Sequence, residues 1–429
     1  MSSDSRPEPV TNWAGNVTFS AERLCRPAGL DELRRLVADA PSVRVLGTGH
    51  SFNHVADTTG TLVSVAGLPP RFEVDRDRAT VTVAAGLPYA RVAELLQAQG
   101  LALANLASLP HISVGGATAT ATHGSGDGNR SLASAVAGLE LVGPDGDLVQ
   151  LDRDADPADP ADPAGFAGAP VHLGALGVVT AVTLDVEPSY EVAQHVYTGL
   201  SLDAFAADPS AVSSAAYSVS VFTNWHAPTA DVWLKRRLDA TAPAPATLLD
   251  AVPADRPLHP IPGVPADHCT VQLGVPGPWH QRLPHFRPDA TPSAGAELQS
   301  EFWLPRPAAP AAFAALRALG ARIAPLLQIS EVRTVAAEDL WLSPAYRRDS
   351  LALHFTWVKD WEAVAPVLAA VEAALTPLGA RPHWGKLFTA TPGAAVAGYE
   401  RASDFRKLMD RHDPQGKFRN AFVRSLYEG

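Results

Sequence analysis

Only two cysteines, Cys25 and Cys269, occur in 429 residues, far apart and outside any metal spacing, so neither a disulfide framework nor a thiolate metal site is expected. Long apolar runs are missing too: no segment approaches the roughly 18 consecutive apolar residues of a membrane span. Positive charge is in deficit. With 34 Lys and Arg against 45 Asp and Glu the net charge is −11, which argues against nucleic acid or an anionic membrane as partner, since both select basic surfaces. The opening "MSSDSRPEPVTNW" has no apolar core of signal-peptide type. Hydrophobic residues at 46% and charged residues at 18% are ordinary for a folded globular chain. The expectation is a soluble, cytoplasmic monomer, long enough for two domains with substantial cores.

Residues 1–190 read as an α/β unit. In "LDELRRLV", Leu33, Leu36 and Val37 form one helical stripe behind acidic Asp31 and Glu32. "SVRVLG" follows as a short strand and "TVTVAAGL" as an alternating one. "PYARVAELLQAQG" predicts a helix entered at Pro88 and left at Gly100. "LELVGPDGDLVQL" predicts a hairpin turning at Pro144-Asp145-Gly146, and "LGVVTAVTLDVEP" a strand stopped by Pro188. The Asp-Pro-Ala stretch 152–170 and the Ala/Pro-rich stretch 241–267 read as surface excursions, because repeated prolines forbid helix and sheet interior alike. Further on, strands ("AYSVSVFTNW", "ELQSEFWL", "LALHFTWV") and alanine-rich helices (309–326 and 361–376) predict an antiparallel sheet with helices on one face.

"VLGTGHSFN", residues 45–53, ends a strand in a glycine turn that carries a histidine. Gly47 and Gly49 allow a ligand to approach the backbone closely. The turn is no G-x-G-x-x-G fingerprint, since Phe52 stands at the third glycine position. His50 and His54 have the i, i+4 spacing of helical zinc ligands, but no Glu follows His50 and Gly-Thr-Gly opposes a helix, so no metal is expected. His50 is then either a hydrogen-bonded turn residue or a functional one. Residues 107–129, "ASLPHISVGGATATATHGSGDGN", offer backbone N–H groups and hydroxyls with little bulk or charge. That composition suits a pyrophosphate lying against backbone, or a linker, although Pro110, Ile112 and Val114 speak against pure disorder.

In "ISEVRTV", Glu331 and Arg333 are two apart and share one face of a strand. In "LALHFTWV", His354 and Thr356 do the same, while Leu351, Leu353, Phe355 and Trp357 take the opposite face. Such a polar face is either solvated or a pocket wall. Lys386 in "HWGK" adds a further charge and favours the pocket.

"GTGHSFN", "SLPHISVGG", "TATHGSG" and "LGALGVVT", in that order, resemble the FAD-binding domain of vanillyl-alcohol oxidase type flavoproteins. With "SEVRT", "HFTW", "RPHWGK" and "DPQGKFRNAF" the resemblance runs nearly end to end and narrows to the alditol (xylitol/sorbitol) oxidases, in the sugar-oxidase branch that also holds the aldonolactone oxidases. It implies an α+β, two-domain fold: an FAD-binding domain (1–188), a substrate or cap domain with an antiparallel sheet and helices on one face (189–386), and a C-terminal segment (387–429) returning to the first domain.

The same resemblance implies FAD held covalently through the 8α-methyl group by His50 alone, as no cysteine lies between residues 26 and 268. Carried over residue by residue, the FAD contacts are Val45, Leu46, Gly47, Thr48, Gly49, His50 and Ser51 in the turn. They continue at Ser108, Ser113 and Gly116, then Thr120, Ala121, Thr122 and His123, and finally Val179 and His383. The substrate contacts are Ser108, Gln299, Glu331, Arg333, His354, Thr356 and Lys386. Their chemistry fits a neutral polyol: Glu331 accepts from hydroxyls, Arg333 and Lys386 donate, and the rest do either. The implied reaction passes hydride from the terminal carbinol to flavin N5 and reduces dioxygen to hydrogen peroxide. Arg333 and Lys386 stabilise negative charge on the substrate oxygen, and His354, oriented by Glu331, receives the hydroxyl proton. The competing expectation is a gulono- or arabinono-lactone oxidase or dehydrogenase, which shares Glu-x-Arg and "HWGK".

Overall fold

The computed structural model describes residues 9–21, 23–155, 166–240, 243–289 and 296–427. Most of the Asp-Pro-Ala stretch, 156–165, lies outside them. In the first region Val43–Val45, Thr61–Val63 and Arg23–Cys25 form a parallel three-stranded sheet. A five-stranded antiparallel sheet runs in the order Phe72–Asp75, Thr80–Ala84, Val178–Asp185, Val136–Val142 and Leu148–Asp152. The helices Leu30–Asp39 and Tyr89–Ala98 form where the apolar stripes put them, burying Leu33 and Val37 in one case and Val92 and Leu96 in the other. The hairpin turns at Gly146, whose φ of +82° favours a residue without Cβ. One element is new: a six-residue helix, Val114–Ala119, inside the Ser/Thr/Gly stretch. Its glycines disfavour helix locally, but a Cβ on Gly115 would sit 3.0 Å from the Ala85 Cβ, so close packing outweighs propensity.

The second region is a nine-stranded antiparallel sheet. At its centre lie Ser218–Thr223, Leu327–Val335, Ser350–Val358 and Glu297–Pro305. One face buries Val332, Leu353, Phe355 and Trp357 against the helices Leu202–Ala207, Ala309–Ala318 and Trp361–Leu375. The expected 309–326 helix breaks at Leu319, because Gly320 comes so close to Trp225 that a Cβ there would lie 2.4 Å from its carbonyl oxygen. The register pairs Gln299 with Thr356 and places His354 between Glu301 and Glu331, so the polar face is one continuous array.

Residues 402–427 return to the first region, where Phe405, Leu408, Phe418 and Phe422 join its core. The buried Arg44 guanidinium ties the two together, donating to Gly174 O (2.9 Å), Leu173 O (2.7 Å), Phe418 O (2.8 Å) and Val55 O. Asn420 donates to the His54 and Asp57 carbonyls at 3.0 and 2.8 Å.

Candidate active site

A single cleft runs from the Val45–Ser51 turn, past Ser108, Ser113, Gly116, Thr120 and Thr122, to the polar face of the large sheet. Backbone and small side chains form the first part. Gly49 has φ +73°, and a Cβ on Gly47 or Gly116 would fall 2.5 or 2.9 Å from Ser113 Oγ. That cradle leaves room for a phosphate-bearing chain only because these positions are glycine, and so it fits the FAD implied by the motifs. Val179, His123 and His383 also line it. Ala121 does not: its side chain is fully buried in the core at φ +58°. The residue sits in a turn, where strand parity gives no guide to direction.

His50 stacks on Trp13 with ring centroids 5.0 Å apart, and its Nδ1 is 3.1 Å from Thr48 Oγ1. Burial, assisted by His111, pushes its pKa down to about 4, so the imidazole is neutral near pH 7 and nucleophilic. The turn is bolted to the "HWGK" loop. Phe52 N–H donates to Gly385 O (2.8 Å), and the Asn53 amide donates to Trp384 O and Lys386 O (both 2.8 Å). Two motifs more than 300 residues apart in sequence, 331 between Asn53 and Trp384, thereby fix Lys386 relative to His50.

At the sheet end, Glu301 is the hub. It accepts from Lys386 Nζ (2.6 Å), Arg333 Nη2 (2.8 Å) and His123 Nε2 (2.7 Å). Burial opposes its ionisation, but Lys386, Arg333 and His123 together hold its carboxyl well below the usual range. Burial, Arg333 and Lys386 disfavour a charge on His123. Its Nδ1 faces Gly124 O (2.8 Å) and its Nε2 faces Glu301, both acceptors, so a ring proton finds a partner on either nitrogen.

Glu331 is held differently. Its Oε1 accepts from His285 Nε2 at 2.8 Å, and its Oε2 lies 3.7 Å from Arg333 Nε, too far for a hydrogen bond. Arg333 Nε is buried without a hydrogen-bond partner. These two atoms, acceptor and donor, remain unspent beside the cleft.

The expected orientation of His354 by Glu331 does not occur. Lys386 Nζ donates to His354 Nδ1 at 2.7 Å, and the Nε2 side is 3.1 Å from Thr356 Oγ1. The histidine is neutral, its pKa pushed down to about 4 by burial and Lys386, and its single lone pair is already occupied. It is therefore a poor proton acceptor. Register makes Glu331 and His354 neighbours, but the nearby ammonium is the stronger partner. Gln299 donates to Glu297 at 2.5 Å at the far end of the same face.

Glu301, His285 and Lys235 escaped the sequence reading. Glu301 was within reach, being two residues from Gln299 on one strand and thus on the same face. His285 sits in irregular chain, where no period marks it.

A backbone-built dinucleotide cleft opening onto a buried polar wall defines an FAD-dependent oxidoreductase. Residues 21–152 match the family model "FAD binding domain", and residues 296–426 match that for D-arabinono-1,4-lactone oxidase. An alditol oxidase of Streptomyces sp. strain IKD472 is 50% identical over 98% of this chain and 99% of its own length. The L-gulono-1,4-lactone dehydrogenase of Mycobacterium tuberculosis is 27% identical over 97% of this chain and 98% of its own. Among solved structures, cholesterol oxidase from Brevibacterium sterolicum superposes with a TM-score of 0.76 at 14% identity, covering 98% of this chain and 96% of that one. The chain belongs to the alditol oxidase family of FAD-dependent flavoproteins.

Proposed function

We propose that the protein oxidises the terminal hydroxyl of an alditol such as xylitol or sorbitol to the aldose, with dioxygen as electron acceptor and hydrogen peroxide as co-product. The observation that carries this is the buried Glu331–Arg333 pair lining the end of the FAD cleft, where Arg333 Nε has no hydrogen-bond partner and Glu331 spends only Oε1 on His285. A polar pocket of this kind rejects an analogue lacking the hydroxyl by ~10⁴–10⁵. The turn residues 45–51 with Ser113, Gly116, Thr120 and Thr122 hold the FAD, and neutral His50 carries it through one covalent bond. FAD bound in this cleft would supply the hydride acceptor and the two-electron link to dioxygen.

The protein's part is to bind, orient and polarise. Glu331 Oε2 accepts a hydrogen bond from the reacting hydroxyl, whose proton passes to water as the hydride leaves the carbinol carbon. Arg333 Nε holds the negative charge that develops on its oxygen. Lys386 adds its third N–H, since Glu301 and His354 occupy only two. Ser108, Thr356 and Gln299, which line the same cleft, are left for the other hydroxyls of the chain.

Anaerobic addition of xylitol is expected to bleach the flavin absorbance, and air to restore it with release of peroxide. Bleaching by gulono-1,4-lactone and by no polyol would overturn the assignment in favour of a lactone substrate. Acid precipitation tests the tether: flavin stays in the pellet of the unaltered protein and leaves with the supernatant from His50→Ala.

A further inference from the structure

Behind Glu331 lies a pair of buried groups, His285, which also lines the cleft, and Lys235, which does not. His285 places Nε2 on Glu331 Oε1 (2.8 Å), and Lys235 Nζ donates to His285 Nδ1 (3.0 Å) and to Leu283 O. The ring is clamped edge-on by Phe222 and Trp233, with centroids 5.4 and 5.2 Å away. Lys235 is 1% exposed. The pair therefore ends inside the protein and holds Glu331 instead of conducting a proton away from it.

We propose, building on the alditol-oxidising role of Glu331, that Lys235 is a positioning residue that acts through His285, keeping that imidazole neutral with its Nε2–H on Glu331. The reasoning is one of hydrogen-bond supply. With Lys235 on Nδ1, the only ring proton is on Nε2 and points at the carboxylate, which keeps its full negative charge toward the cleft. Without Lys235 the Nδ1 lone pair is open, and a proton taken there makes an imidazolium that neutralises Glu331 from behind. Burial and then the Lys235 charge push His285 down to about 4, and burial pushes Lys235 down to about 7. Lys235 is thus charged over the acid range in which an unguarded histidine would titrate. The other ionisable groups facing the pair are Glu331 and Arg333 and the buried Cys269, whose thiol burial pushes up to about 12; His354 faces Glu331 from the next strand.

The test uses the flavin-loaded protein with Lys235→Met, His285→Gln and both together, where glutamine donates to Glu331 and accepts from Lys235 without titrating. In Lys235→Met, kcat/KM for xylitol is expected to fall more steeply toward acid pH than in the unaltered protein, as His285, still held down by burial but relieved of the ammonium, takes up its proton at a higher pH. That added fall is absent in His285→Gln and in the double variant. The His285 ring signal, followed by NMR without substrate, is expected to titrate at a higher pH in Lys235→Met than in the unaltered protein, where it lies at about 4. A pH-independent loss in Lys235→Met, an added fall that persists in the double variant, or a His285 titration that does not move would overturn the proposal. Absence of any polyol oxidation by the unaltered protein would instead overturn the proposed function and leave the NMR titration to decide this one.

Discussion

The two walls of the cleft solve opposite problems. The FAD wall is built of glycine, serine, threonine and alanine, and works by leaving space. The sheet wall is built of buried charged side chains that largely satisfy one another, and works by filling space with hydrogen-bonding groups. The first wall is therefore sensitive to added atoms, the second to removed ones.

The largest effect tests the second wall. Arg333→Ala removes the unspent donor and strips Glu301 of a partner, and turnover on xylitol is expected to fall ~10²–10³-fold in steady-state assays, the cost of a lost charge-stabilising donor. Glu301→Gln keeps the shape but leaves Lys386 and Arg333 without their counter-charge. A loss of about 3–5 kcal/mol, seen in chemical denaturation, is expected for breaking a buried ion network. On the first wall, Gly47→Ala should lower the flavin-to-protein absorbance ratio while leaving the fold intact, because the new Cβ meets Ser113 Oγ at 2.5 Å. Ser113→Ala in the same chain should restore it. If that second change gives no recovery, space is not what the glycine provides.

The smallest effect concerns pH and the whole molecule. His172, His285 and His354 are each pushed down to about 4, chiefly by burial. Their folded pKa values lie below the unfolded value of about 6.5, so the unfolded chain binds more protons between the two. Stability is therefore expected to decline as pH falls from 6.5 to 4, visible as a falling Tm, and His354→Asn should flatten part of that slope.

Parity along strands made much of the substrate wall legible. Glu331 with Arg333, and His354 with Thr356, share a face because side chains alternate, whatever the sheet around them. Hydrogen-bond partners were not legible. Whether His354 leans toward Glu331 or Lys386 depends on a loop 32 residues further on, anchored by Asn53 at the other end of the sequence. The burial of Ala121 and the short helix Val114–Ala119 were not legible for a related reason: their geometry is set by contacts across the fold, not by local preference.

Arg44 carries a consequence for how the molecule is made. Its guanidinium waits for a carbonyl synthesised 374 residues later, and until that arrives a buried cation lacks one of its acceptors. A product clipped of residues 413–427 leaves that cation short of a partner and the surrounding core open, and is expected to retain less of the yellow cofactor.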